Sequence, residues 1–158
     1  MSTKKLLVLL GTLVLIAAAL SVGDLRLSHR EDRSSNHSSI DKESDFLTLV
    51  KLWEQLPKDH LGRLDAPRSW CDDRGLSQQR IREWIDVHRQ LVRVCQRLGT
   101  ARRSSAAPRY ERIHKALLSA FSGSVAECQS SGLYQTAHLH DIMVSPGSVL
   151  FRKRAAWL

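Results

Sequence analysis

The side chains best suited to chemistry in this 158-residue sequence are arginines repeated at helical spacing. In "SQQRIREWIDVHRQLVRVCQRL" (77–98), four of them fall on one face of a helix with about 100° per residue. The four are Arg82, Arg89, Arg93 and Arg97, and we call them the arginine stripe. Asp86 lies among them. The stripe has two interpretations: a solvated face of the kind that most helices need, or a surface on which arginines one turn apart meet successive phosphates.

A second basic cluster stands near the end of the sequence. Arg152, Lys153 and Arg154 lie between Phe151 and Trp157, and cations beside aromatic rings are typical of surfaces that bind single-stranded nucleic acid. The formal net charge of the whole chain is +8. This charge suits an anionic partner, either nucleic acid or a membrane surface, and it indicates nothing about the fold.

Two pairs of histidines raise the question of metal binding. In "HLHD" (138–141), His138 and His140 would lie on the same side of a strand, a spacing that metal sites use. The sequence points to no third ligand, so two surface histidines are the favoured interpretation. His88 and His114 fall on apolar helix faces, where we expect core histidines with satisfied hydrogen-bond partners.

The sequence contains no recognisable catalytic motif. It has no GxxxxGK[ST] phosphate loop, no GxGxxG after a strand, no HExxH and no GxSxG. The three cysteines, Cys71, Cys95 and Cys128, form no CxxC pair, so reduced thiols in a cytoplasmic protein are expected. We therefore predict no catalytic residue, no metal, no cofactor and no stand-alone ATPase in this chain.

The elements that carry these residues form a mainly α protein: a helical bundle followed by a short, incomplete antiparallel β segment. Apolar periodicity predicts helices from Ser44 to Leu56, from Ser77 to Leu98 and, after Pro108, through residues 110–121. Ser44 is the expected N-cap of the first, and Gly99 the stop of the second. After residue 132, two short strands are predicted on either side of "SPGS" (145–148).

The apolar block at residues 6–22 has two interpretations. Lys4 and Lys5 precede it, as in a signal peptide or membrane anchor, but its 17 residues fall short of the ~20 that a spanning helix needs. The alternative is a buried core helix, which is apolar on every side because it is packed on every side.

Four segments together resemble the C-terminal helicase-associated region of DEAH-box RNA helicases, most nearly the bacterial HrpA type. They are "KESDFLTLVKLWEQL" (42–56), "RIREWIDVHRQLVRVCQRLG" (80–99), "YERIHKALLSAF" (110–121) and "SPGSVLFRKRAAW" (145–157). In addition, "LVLIAAALSVGDLR" (13–26) resembles a buried helix of that family. Gly75 stands where the family prefers an aromatic residue, so looser packing is expected before the second helix.

The resemblance implies a ratchet helical bundle followed by the opening of an OB-fold, which in the family accompany ATP- and Mg²⁺-dependent motor domains and hold single-stranded RNA. It implies RNA contacts at Ser145, Pro146, Gly147 and Ser148. The expected divisions are 1–24 as the apolar helix, 25–43 as a polar linker, 44–123 as the helical domain and 132–158 as the truncated OB-fold. The expected function is a cytoplasmic helicase fragment that binds single-stranded nucleic acid. The alternative is a small membrane-anchored or exported basic protein with residues 6–22 as the anchor.

Overall fold

The computed structural model of the chain describes residues 3–26, 40–99, 110–129, 132–151 and 153–158, with side chains from residue 10 onward. Within these ranges there are five α-helices and one two-stranded antiparallel sheet. The helices are α1 (Thr3–Val22), α2 (Asp45–Glu54), α3 (Arg68–Asp73), α4 (Gln78–Arg97) and α5 (Tyr110–Ala120), and the strands are β1 (Glu127–Cys128) and β2 (Tyr134–Gln135). The predicted fold class, mainly α with a short antiparallel β segment, is confirmed.

Helix α1 lies at the centre of the bundle, in contact with α2, α4 and α5. Leu15, Ile16, Ala18 and Ala19 are buried in the same apolar cluster as the inward side chains of the other helices. The indole Nε1 of Trp84 donates a hydrogen bond of 3.0 Å to the carbonyl oxygen of Leu15. The second half of α1 therefore belongs to the core, as the resemblance implied, but it is not packed on every side as predicted, because Leu20 is 50% exposed.

The membrane-anchor interpretation of residues 6–22 finds no support in the structure. Across the described ranges, no helix combines the length and the apolar character needed to cross a bilayer.

Helix α2 begins as the sequence predicts. The Ser44 hydroxyl accepts a hydrogen bond of 3.3 Å from the Leu47 amide, so Ser44 is the N-cap. The helix ends at Glu54, two residues before the predicted end at Leu56. Its Trp53 ring packs edge-on against Trp84 of α4, with 4.8 Å between ring centroids, which ties α2 to the core.

Helix α3 was not predicted, because six residues are too few for apolar periodicity to show. It places Cys71 in the core with no exposed surface. The turn that follows has Gly75 at φ +66°, a left-handed conformation that an aromatic side chain would adopt only under strain. The loose packing expected from this glycine is not observed, since Leu76 and Ile81 beyond it are both fully buried.

Helix α4 buries Ile81, Trp84 and Ile85 and ends at Arg97 with Leu98 as its C-cap, and Gly99 at φ +70° is the stop that the sequence predicts. Its apolar face continues beyond the core, and Leu98 is 71% exposed. Helix α5 buries Ile113 and Leu117. The predicted position of Pro108 in the first turn of α5, and most of the predicted linker at 25–43, lie outside the described residues.

The strands are not where the sequence places them. "SPGS" forms a turn in which the Ser148 amide donates to the Ser145 carbonyl oxygen over 2.9 Å, but the chain on its two sides does not pair with itself. Instead, Ile142 pairs with Tyr134 of β2, and Trp157 pairs with Glu127 of β1. The prediction of a hairpin around "SPGS" is wrong because each flank finds its partner in the earlier β1–β2 pair.

These pairings place four segments side by side. The order is 156–158, β1, β2 and then the segment at Ile142, each antiparallel to its neighbour. Numbered along the chain, this is the spatial order 4-1-2-3, in which the fourth segment returns beside the first. That order is the one found in a Greek key.

Candidate nucleic-acid interface

The arginine stripe lies on the outer face of α4. Because α4 buries Ile81, Trp84 and Ile85, the opposite side of the helix faces solvent, and all four arginines of the stripe are exposed. Helical geometry spreads them over about 80° of the helix surface and about 22 Å of its length. The predicted arrangement of these residues is therefore present, and they offer cationic groups at one-turn spacing from Arg89 onward.

One acidic residue lies within the stripe. The Asp86 carboxylate accepts a hydrogen bond of 2.8 Å from Nη1 of Arg89, and both side chains are exposed. An exposed pair of this kind contributes only ~0–1 kcal/mol, so a phosphate could replace Asp86 as the partner of Arg89 at little cost. Arg93 and Arg97 extend the stripe beyond this pair.

Arg80, just before the stripe, holds α4 against the end of α1. Its Nη1 donates a hydrogen bond of 2.6 Å to the Val22 carbonyl oxygen, one of the carbonyls left unpaired at a helix C-terminus. A cation at this end also interacts favourably with the helix dipole. No sequence pattern indicates this contact, since 58 residues separate the two partners.

The "SPGS" turn is attached to the first residue of α2. Ser148 Oγ donates to Asp45 Oδ2 over 2.6 Å, and the Val149 amide donates to Asp45 Oδ1 over 3.0 Å. Ser145 and Pro146 are exposed, while Gly147 and Ser148 are partly buried. Of the four residues that the resemblance implied, Ser145 and Pro146 therefore face solvent, and the hydroxyl of Ser148 is already hydrogen-bonded to a carboxylate.

Gly147 lies directly against Arg26. A Cβ atom on Gly147 would overlap the Arg26 guanidinium, so any other residue at this position would require the Arg26 side chain to move. Arg26 is itself held in a two-point pair with Asp24, with Nε–Oδ1 at 2.9 Å and Nη2–Oδ2 at 3.0 Å. Arg26 and Asp45 are site residues that the sequence did not indicate.

A cleft of about 340 Å³ opens between the end of α1, the start of α2 and the "SPGS" turn. Ala19, Leu20 and Leu49 contribute apolar lining, and Asp24, Arg26 and Asp45 contribute charged lining. The turn contributes Ser145, Gly147 and Ser148. Gly23 also lines the cleft, and a Cβ atom there would be 3.3 Å from Nη1 of Arg80. The start of α4, from which the arginine stripe runs, therefore lies beside this cleft.

The C-terminal basic cluster is described in part. Arg152 lies outside the described residues, whereas Lys153 and Arg154 are exposed. The ammonium group of Lys153 donates to the carbonyl oxygen of Lys42, just before α2. Trp157 is 61% exposed. The cluster thus presents cations and an aromatic ring to solvent, as its sequence predicts.

The histidines divide between core and surface. His114 has the satisfied partners that were predicted: Nδ1 is 2.8 Å from the Tyr110 carbonyl oxygen, and Nε2 is 2.8 Å from Ser44 Oγ. Nδ1 must donate to the carbonyl, so Nε2 accepts from the Ser44 hydroxyl in the neutral ring. This network ties α5 to the N-cap of α2.

His88 packs against Trp53, with 4.4 Å between ring centroids. Burial lowers the pKa of His88 below its ordinary 6.5, and the neighbouring Arg89 charge lowers that pKa further. His138 and His140 lie in an exposed loop rather than on a strand, so the predicted strand spacing does not apply. Among the described residues, no group of three potential ligands is arranged to hold a metal ion.

Comparison with known proteins finds similarity to RNA helicases along nearly the whole chain. The chain is 32% identical over 151 residues to the ATP-dependent RNA helicase HrpA of Escherichia coli, and 31% identical over 155 residues to the HrpA homolog of Haemophilus influenzae. Each alignment covers 92% of this chain. A putative pre-mRNA-splicing factor ATP-dependent RNA helicase of Schizosaccharomyces pombe is 27% identical over 150 residues, which is 90% of the chain. No family model matches.

The chain spans only a small part of these relatives. It covers 12% of the length of each bacterial helicase and 22% of the fission yeast protein. The chain is therefore homologous to a segment of HrpA-type DEAH-box helicases, in agreement with the resemblance seen in its sequence.

Proposed function

From its homology to a segment of HrpA-type RNA helicases, we propose that this chain is a helicase-associated accessory module that binds single-stranded RNA. The arginine stripe contacts the RNA backbone, and the "SPGS" turn with the C-terminal basic cluster forms a second contact. The module works beside helicase motor domains. Those domains, rather than this chain, bind ATP and Mg²⁺.

The observation that carries the proposal is the arginine stripe itself. Four exposed arginines lie on one side of a helix whose other side is fixed in the core. Guanidinium groups on a rigid support can pair with phosphates in two-point geometry without first becoming ordered. An exposed helix face that only needed solvation would be served equally well by an equal mixture of acids and bases.

The order of the β segments supports the second part of the proposal. An OB-fold is a partly open Greek-key barrel that binds oligonucleotides. The spatial order 4-1-2-3 of the segments between residues 126 and 158 is compatible with the opening of such a barrel. We propose this assignment for the C-terminal part of the chain.

The test is the salt dependence of binding to a fluorescently labelled 12-nucleotide oligouridylate, measured by anisotropy. The four phosphate contacts of the arginine stripe alone predict a slope of about −2.8 for the logarithm of the association constant against the logarithm of salt concentration, and contacts of the C-terminal basic cluster make the slope steeper. Between 50 and 200 mM salt, the affinity should then fall by at least about 50-fold.

Replacing Arg93 and Arg97 together with glutamine should reduce the magnitude of this slope by about 1.4, because two phosphate contacts are lost. Arg68→Gln is the matched control, since Arg68 is an exposed arginine on the short helix α3. We expect Arg68→Gln to leave the slope unchanged. Absence of binding at 50 mM salt, or the same slope in the double variant, would contradict the proposal.

A further inference from the structure

The outer face of the small sheet carries a shallow pocket separate from the cleft beside α2. Its volume is about 310 Å³. Its polar and aromatic lining comes from Glu127, Gln129, Gln135, Thr136 and Trp157, on or next to β1, β2 and the 156–158 segment. None of these residues belongs to the arginine stripe or to the "SPGS" turn.

Strand register explains why these side chains meet. Trp157 lies opposite Glu127, and Glu127 lies opposite Gln135, so the three side chains form a row on one face of the sheet. Ala126 and Leu158 exchange both backbone hydrogen bonds, at 3.0 and 2.8 Å. The next pair, Glu127 and Trp157, is therefore a non-hydrogen-bonded pair, the type in which opposing side chains are closest.

The opposite face of the sheet holds this row in place. Ala126 and Tyr134 point inward and are buried, at 4% and 3% exposure. The Tyr134 hydroxyl donates a hydrogen bond of 2.9 Å to the Ala155 carbonyl oxygen, two residues before Trp157. The segment that contains Trp157 is therefore held by its backbone hydrogen bonds to β1 and by the Tyr134 hydroxyl on the opposite face of the sheet.

The chemistry of this face fits a nucleobase rather than a phosphate. The Trp157 ring, 61% exposed, offers a flat surface on which a base can stack. The Glu127 carboxylate repels phosphate and accepts two hydrogen bonds, while the Gln135 amide can donate one. The Watson–Crick edge of guanine presents the complementary set: two adjacent N–H donors beside one carbonyl oxygen. Uracil offers a single donor, and adenine and cytosine each place an acceptor beside their amino group.

We propose that the outer face of the small sheet binds one unpaired guanine base of single-stranded RNA, stacked on Trp157 with its Watson–Crick edge against Glu127 and Gln135. This inference rests on the proposed function, and it adds a preference for guanine to the proposed binding of single-stranded RNA. Exposed Lys153 and Arg154 lie four and three residues before Trp157 and supply positive charge for the adjoining phosphates.

The test uses the full chain and four labelled nine-nucleotide RNAs: oligouridylate, and the same strand with a single central G, A or C. We expect the G-containing strand to bind about 10-fold more tightly than the others, as one two-point base contact provides. Glu127→Gln should reduce this preference to within about twofold, because the amide accepts only one of the two hydrogen bonds.

Trp157→Ala should weaken binding to the G-containing strand by about 10-fold, whereas Trp157→Phe should retain most of the affinity because the stacking surface remains. Phe151→Ala is the matched control, since Phe151 is an exposed aromatic residue that precedes the 156–158 segment and does not line the pocket. Circular dichroism of each variant confirms that the helices are intact.

The outcomes separate this site from the proposed function. Salt-dependent binding of all four RNAs with equal affinity would overturn the guanine site and leave RNA binding by the arginine stripe in place. An unchanged preference in Glu127→Gln, or an unchanged affinity in Trp157→Ala, would also overturn the site. Failure of the unmodified chain to bind any of the RNAs at low salt would overturn both.

Discussion

Gly147 makes a close contact within the protein that its sequence did not indicate. The resemblance to helicases implied that Gly147 contacts RNA, and the structure adds that it allows the "SPGS" turn to approach the guanidinium of Arg26. The Ser148 hydroxyl, expected to face RNA, binds the carboxylate of Asp45. At the scale of single residues, Gly147 and Ser148 therefore also make structural contacts that join the turn to other regions of the chain.

Gly147→Ala should lower the free energy of unfolding by about 0.5–1 kcal/mol, because the added methyl group displaces the flexible end of Arg26 and breaks its exposed pair with Asp24. Gly123→Ala is the matched control, since a Cβ atom there meets nothing within 4 Å. It should change stability by less than about 0.5 kcal/mol. Urea denaturation measures both, and equal effects at the two glycines would contradict the close contact.

His88 should make the protein less stable in mild acid. Its pKa is lowered in the folded state by burial and by Arg89, so the unfolded state binds a proton more readily. The free energy of unfolding should therefore decrease as pH falls below the ordinary value of 6.5, and level off below the depressed folded-state pKa. His88→Gln should remove this part of the pH dependence, while His140→Gln, at an exposed position, should not. Parallel pH profiles for the original chain and His88→Gln would show the prediction to be wrong.

At the scale of elements, periodicity predicted α2, α4 and α5 well because each is long enough to repeat its apolar face and has recognisable end signals. Helix α3 was missed because its six residues give no period. The strands were misplaced because a Pro-Gly turn indicates that the chain reverses, but not which segment each flank joins. The exposure of the arginine stripe followed from helical geometry alone. Asp45 and Ser148 could not be paired from sequence, since 103 residues separate them.

The burial of α1 leads to a direct prediction. Ile16 has no exposed surface, so Ile16→Ala should destabilise the protein by about 2–5 kcal/mol. Leu20, one turn later and 50% exposed, is the matched control, and Leu20→Ala should have a much smaller effect. Thermal unfolding followed by circular dichroism compares the two. A larger loss at Leu20 would mean that α1 packs in a different rotation.

At the scale of the whole molecule, the helical bundle and the C-terminal β region are joined by contacts around the start of α2. Asp45 binds Ser148 and Val149, and Lys153 donates to the carbonyl oxygen of Lys42. Arg26, after α1, lies against Gly147 on the other side of the turn. The two proposed RNA-binding surfaces therefore belong to regions that a small number of polar contacts hold together.

Asp45→Ala should reduce the free energy of association between the helical bundle and the C-terminal β region by about 2 kcal/mol. The reason is that hydrogen bonds to a charged group are among the stronger ones. Native-state hydrogen exchange should then show faster exchange at residues 145–151, with little change in α4. A double-mutant cycle with Ser148→Ala provides the control, because partners that act together give non-additive effects of at least about 0.5 kcal/mol. Strict additivity would mean that Asp45 acts only through the start of α2.

The central position of α1 also bears on how the protein is made. Trp84, whose indole binds the Leu15 carbonyl, is 69 residues further along the chain. At a synthesis rate of roughly 5–20 residues per second, Trp84 is added to the chain about 3–14 s after Leu15. During this interval an apolar helix stands at the ribosome exit without the helix that covers it. Chaperone demand during translation should therefore depend on the hydrophobicity of α1, although Leu15, Ile16, Ala18 and Ala19 are buried once the bundle has formed.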